Sequence, residues 1–140
     1  MKKRISIILV ILWMSLIFIL SSANSTESNN QSNYIVNIIS NILNISNTTI
    51  LSYIIRKAAH FTEYLILGIL VNNMIKLYNK KAYIAIIICI LYAISDEFHQ
   101  SLVPGRSPQI QDIFIDSIGS IIGIYLLNIK RIFIKAKKDY

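Results

Sequence analysis

The chain has 140 residues, of which 54% are hydrophobic and only 15% charged, with fourteen basic and seven acidic side chains and a formal net charge of +7. A mean hydropathy of +0.56 is too apolar for an ordinary soluble domain, and the length allows one domain, residues 1–140. The positive charge does not imply nucleic acid, because eleven of the fourteen basic residues flank apolar runs, the distribution expected of a chain whose solvent is a bilayer.

Four apolar segments predict transmembrane helices over about residues 5–22, 58–75, 82–98 and 110–129, each about long enough to cross roughly 30 Å of hydrocarbon. Lys2, Lys3 and Arg4 precede the first. Together with Ser21, Ser22 and Ala23 they also fit a secretory signal, whose cleavage would leave three spans; a retained helix is the favoured reading. Residues 21–49 are rich in Asn and Ser and carry one charge, Glu27. A flexible start is expected there, followed by a short interfacial helix on the outer face, because Tyr34, Ile35, Ile38, Ile39, Ile42 and Leu43 recur at helical spacing.

Lys76, Lys80 and Lys81 separate the second and third segments, and Lys130, Arg131, Lys135, Lys137 and Lys138 follow the fourth. Four spans put these basic clusters on one side, which the positive-inside rule makes cytoplasmic. The expected fold is therefore an all-α bundle of four transmembrane helices, both termini cytoplasmic. The lone Cys89 lies mid-span and allows no intramolecular disulfide.

In that topology Arg56, Lys57, His60 and Glu63 open the second span at its outer end, Asp96, Glu97 and His99 close the third there, and Asp112 and Asp116 open the fourth. Ionisable groups at such depth read as paired or functional. His60 and Glu63, Asp96 and His99, and Asp112 and Asp116 each share a helix face at spacings of three or four. With neutral imidazoles, and with Arg106 of the following turn counted in, the cluster carries two net negative charges, which favours a cation or protons. A divalent metal on His60, His99, Asp112 and Asp116 is one reading, metal-free acid–base chemistry with Glu63 or Asp96 as base another, and a structural salt-bridge lattice a third. Arg56 and Arg106 would steady an anionic group, Lys57, Glu97 and Gln100 complete the expected substrate-binding set, and in the alternative Glu97 would pair with Lys57 or Arg56. Proton-linked transport is disfavoured, since the inner halves offer only Asn72 and Asn73, expected to bond between helices.

Asp112, Asp116, Gly119 and Gly123 form one stripe, and with Gly68 the glycines are expected to let helix backbones approach closely. Pro104, Gly105, Arg106, Ser107 and Pro108 predict a turn with Gly105 free to take positive φ.

Taken in order, Arg56-Lys57-x-x-His60-Phe61-x-Glu63-Tyr64, Ser95-Asp96-Glu97-Phe98-His99-Gln100, Pro104-Gly105-Arg106 and Asp112-x-x-x-Asp116-x-x-Gly119 resemble the VanZ-like family of bacterial membrane proteins, named for an accessory determinant of teicoplanin resistance. The resemblance implies a multi-pass membrane protein, and its founding members lower sensitivity to teicoplanin, a glycopeptide with a lipid tail. The expected partners are membrane lipids and an outer-leaflet lipid-linked or lipoglycopeptide ligand, with no nucleic acid. The expected function is to act on or bind such an amphiphile, with a contribution to teicoplanin resistance, and as an enzyme it would be a metal-assisted or acid–base hydrolase or transferase; the alternative is a non-catalytic protein that shields lipid or glycopeptide, with the charges as a structural salt-bridge cluster. Nothing in the sequence specifies an oligomeric state.

Overall fold

Four glycines and two prolines are spread over the chain, and none precedes Gly68, so few residues break helices and long ones are the default. The computed structural model describes residues 1–23, 25–43 and 47–138, with side chains for 1–23, 33–42 and 47–126. Within them all regular structure is α-helical: α1 (Lys2–Ser21), α2 (Ser25–Leu43), α3 (Thr48–Leu77), α4 (Ala82–Ser101) and α5 (Ile110–Lys138). Two of these, α1 and α4, are long and apolar enough to cross a membrane. The side chains of Leu43 and of the basic residues from Lys130 onward lie outside the described residues.

Local chemistry sets the boundaries. Asn47 caps α3 by accepting from the Ile50 backbone N–H at 3.2 Å. At its other end Asn79 takes φ 56°, with the Lys80 N–H reaching the Ile75 carbonyl and the Asn79 N–H the Lys76 carbonyl, a left-handed cap that Asn tolerates. After α4 the Arg106 N–H closes a turn on the Val103 carbonyl at 3.1 Å, with Gly105 at φ 77°, the positive φ expected of it. α3 starts ten residues before the expected second span, and α2 reaches back to Ser25, into the part expected to be loose. Neither stretch contains a breaker, and α2 packs against α3, burying Val36.

α3 is the central helix, touching each of the others and making its most extensive contact with α5. Lys57 meets Asp112 near the start of both helices, and the Asn72 Nδ2 donates to the Ile124 carbonyl at 2.6 Å further along, so α3 and α5 run parallel. α4 returns between them, its C-terminal end lying beside the N-terminal part of α5. The parallel pair is tight because it is built on glycine. A Cβ on Gly68 would collide with the Ser120 carbonyl, one on Gly123 with the Leu65 carbonyl, and one on Gly119 would lie 2.6 Å from the Phe61 carbonyl oxygen.

Polarity is distributed inside out. Asn72, Asp96, Glu97, Gln100, Asp112 and Asp116 are buried, whereas Ile87, Leu91, Ile94 and Phe98 along α4 and Phe114, Ile118 and Ile122 along α5 are exposed. Spacings of three and four make each exposed set a continuous apolar stripe.

Candidate functional site

Four helices bring polar side chains to one end of the bundle. α1 ends at Ser21, whose Oγ donates to Asp96 Oδ1 of α4 at 2.5 Å. One turn further along α4, the Gln100 Nε2 donates to Asp96 Oδ2 at 3.2 Å, so both carboxylate oxygens are held by neighbours that cannot neutralise them. On α3 the His60 Nδ1 lies 3.8 Å from Asp116 Oδ1 of α5, with the two side chains 16% and 3% exposed. Neither atom has a hydrogen-bond partner among the described residues. One ligand atom each from His60, Asp96 and Asp116 falls within 4.8 Å of the others.

The remaining charges form a second layer. Lys57 is bound to Asp112, donates to Gln109 Oε1 at 2.8 Å and stands over the Tyr53 ring at 5.1 Å. Glu97 accepts from the Gln109 backbone N–H, not from Lys57 or Arg56 as the sequence led one to expect; the turn carries this amide to the end of α4, where a carboxylate satisfies it locally. Its Oε2 has no partner among the described residues. Arg106 is half-buried and folds back far enough for the charges of Asp96, Glu97 and Asp112 to act on it. Partial burial and the neighbouring Arg56 guanidinium both push its pKa down. Arg56, half-buried on α3, lies close enough for its charge to act on Arg106.

The residues expected to share one site therefore do not all meet. His60, Asp96 and Asp116 converge. Asp112 is engaged by Lys57 and stands outside that group. His99 turns toward α1, where its ring stacks on Phe18 at a centroid distance of 4.1 Å, and its Nδ1 has no hydrogen-bond partner among the described residues. Glu63 is half-buried one turn along α3 from His60, and its backbone carbonyl accepts from the Trp13 Nε1 at 2.9 Å. Gly68, Gly119 and Gly123 pack helices, as their spacing predicts, and Asn72 bonds between helices.

Several participants carry no signal that sequence reasoning could weigh. Ser21 sits in a Ser-Ser-Ala run that reads as a loop or cleavage site. Phe18 and Trp13 belong to an apolar stretch like any other. Tyr64, wholly buried with its hydroxyl unpartnered among the described residues, follows His60 by one helical turn, and that i, i+4 spacing is the one clue to it. Beside this end, an apolar groove of about 430 Å³ is lined by Met14, Ser15, Phe18, Ile19 and Tyr92, the Tyr92 hydroxyl donating to the Met14 carbonyl at 2.6 Å.

Compared with known proteins, residues 6–131 match the model of a family described as VanZ/LLP1. No curated protein and no solved structure matches the chain.

Proposed function

This chain belongs to the VanZ/LLP1 family, and from that premise we propose that it is a four-span membrane protein binding, and equipped to act on, an envelope amphiphile with an anionic headgroup. α1, α3, α4 and α5 are the spans in this reading, both termini are cytoplasmic, α2 lies on the outer face, and the polar cluster opens at the outer leaflet. The carrying observation is adjacency. The buried polar cluster, with Arg106 within reach of its charges, adjoins, through the Phe18–His99 stack, an apolar groove open at the bundle surface.

An amphiphile uses both halves of such a surface. Guanidinium groups offer forked donors to a phosphate or carboxylate, and the groove between α1 and α4 takes part of an acyl chain. The exposed apolar stripes on α4 and α5 support a bilayer environment, since soluble proteins rarely expose continuous rows of Ile, Leu and Phe. In this reading the imidazole and carboxylates of His60, Asp96 and Asp116 face the headgroup and supply acid–base groups for hydrolysis or transfer. A lipoglycopeptide such as teicoplanin, with a polar body and a lipid tail, belongs to the same ligand class.

Native mass spectrometry of the detergent-purified protein tests this directly. Phosphatidylglycerol is expected to be retained in preference to phosphatidylcholine, and Arg56→Ala with Arg106→Ala to remove the preference. Equal retention of both lipids by the wild type would overturn the reading. Teicoplanin sensitivity of a strain expressing the protein, compared with one lacking it, decides separately whether a lipoglycopeptide is among the ligands.

The Lys57–Asp112 pair and the Glu97–Gln109 bond favour a second, non-catalytic reading in which much of the acidic cluster serves to join helices. Activity at the remaining carboxylates separates the two.

A further inference from the structure

The geometry points to a binding site for one first-row divalent cation formed by His60, Asp96 and Asp116, one ligand from each of α3, α4 and α5. Acidic clusters are common without metal, so the inference rests on three features of this one. First, the donor atoms lie within 4.8 Å of one another. Ligands of an ion at about 2.1 Å stand roughly 3 to 3.5 Å apart, and small side-chain rotations on three fixed helices cover the difference. Second, Asp116 is 2% exposed, and its Oδ1 points at the His60 Nδ1 with neither atom partnered among the described residues. A buried acceptor of this kind costs several kcal/mol if nothing satisfies it, and a cation satisfies both atoms at once. Third, the cluster has the outer contacts a ligand set needs. Ser21 and Gln100 orient Asp96 from either side, and the close approach of Gly119 to the Phe61 carbonyl sets the distance between the helices that carry His60 and Asp116.

The donor chemistry narrows the ion. One imidazole nitrogen with two carboxylates favours a first-row divalent ion over magnesium or calcium, whose sites are built of oxygen, and lacks the thiolate that soft ions prefer, so Mn²⁺, Fe²⁺ and Zn²⁺ suit it. Two carboxylates balance a charge of +2, so the site is neutral when loaded, as a buried location demands. Lys57 already neutralises Asp112, and His99 is turned onto Phe18, so neither belongs to the set. Three protein ligands leave coordination positions open toward the pocket. The inference stands on this geometry whichever amphiphile, or none, occupies the mouth.

The test uses the full-length protein purified in detergent, stripped with chelator and titrated with Mn²⁺ while the free ion is followed by its electron paramagnetic resonance signal. One Mn²⁺ per chain, displaced by Zn²⁺, is expected. Affinity should fall at least about tenfold in His60→Gln and in Asp116→Asn, and stay within about threefold in the Lys57→Met/Asp112→Leu double variant, which removes the neighbouring ion pair as a unit. A monodisperse, helical wild-type preparation that binds neither Mn²⁺ nor Zn²⁺ above the detergent blank overturns the proposal, even if the variants fail to fold. Equal losses in the folded Lys57→Met/Asp112→Leu double variant and in Asp116→Asn overturn it too, by assigning the ion to the acidic cluster at large.

Discussion

Ser21 and Asp96, 75 residues apart in the chain, share a buried hydrogen bond of 2.5 Å from the Ser21 Oγ to Asp96 Oδ1. This bond makes α1 part of the polar site and not merely a neighbour of it. A hydrogen bond to a charged acceptor contributes about 1.5 to 3 kcal/mol. Ser21→Ala is therefore expected to destabilise the detergent-solubilised protein by about 1 to 2 kcal/mol, read as a lower midpoint in thermal unfolding, with Ser21→Thr recovering most of it. Equal midpoints for wild type and Ser21→Ala would show that the bond contributes nothing.

The parallel α3–α5 contact predicts a steep dependence on side-chain size at Gly123. A Cβ there meets the Leu65 carbonyl, part of a helix backbone that cannot turn aside. Gly123→Ala should cost about 1 to 3 kcal/mol and Gly123→Leu more, through forced separation of the helices. The nearby exposed Ile122 serves as the control, Ile122→Leu being expected to change the unfolding midpoint little.

Lys57 and Asp112 form an ion pair with side chains only 13% and 9% exposed. Removing one partner leaves a buried charge unpaired, which costs about 3 to 5 kcal/mol. Lys57→Met and Asp112→Leu are each expected to be strongly destabilising, and the double variant much less so than the sum. Additive losses in the double-mutant cycle would mean that the two side chains act independently.

Labelling with a membrane-impermeant maleimide addresses the topology. With Cys89 replaced by Ala, Ser107→Cys in the turn between α4 and α5 should react in intact cells, and Lys80→Cys between α3 and α4 only after the membrane is opened. The Lys3 ammonium stands over the Tyr78 ring at 4.9 Å, which links the start of α1 to the Lys80 end of the bundle, so Lys3→Cys should behave like Lys80→Cys. The reverse pattern would turn the protein over and put the acidic site on the cytoplasmic side.

How much of this was legible in the sequence depends on the range over which each feature is decided. Composition and the absence of breakers before Gly68 determine that the chain is helical and apolar, because each residue bears on this through its own side chain and a few neighbours. The Gly105 turn and the glycine stripe 119–123 are local in the same sense, as is the concentration of acids and both histidines near three helix ends. Which of those groups meet is another matter. Asp112 and Asp116 are one turn apart on the same face and look equivalent, yet one is taken by Lys57 and the other left facing His60. His60 and His99 look equally suited to a common site, yet Phe18 of α1 turns His99 aside. Ser21 and Trp13 gain their parts only through Asp96 and Glu63, 75 and 50 residues away, whose approach is set by how α1 packs against α4 and α3. The sequence by itself thus determined an inside-out helical bundle with an acidic end. Tertiary packing alone decided that one imidazole and two carboxylates converge there, since side-chain pairing follows from interhelical register and distance, which no local pattern encodes.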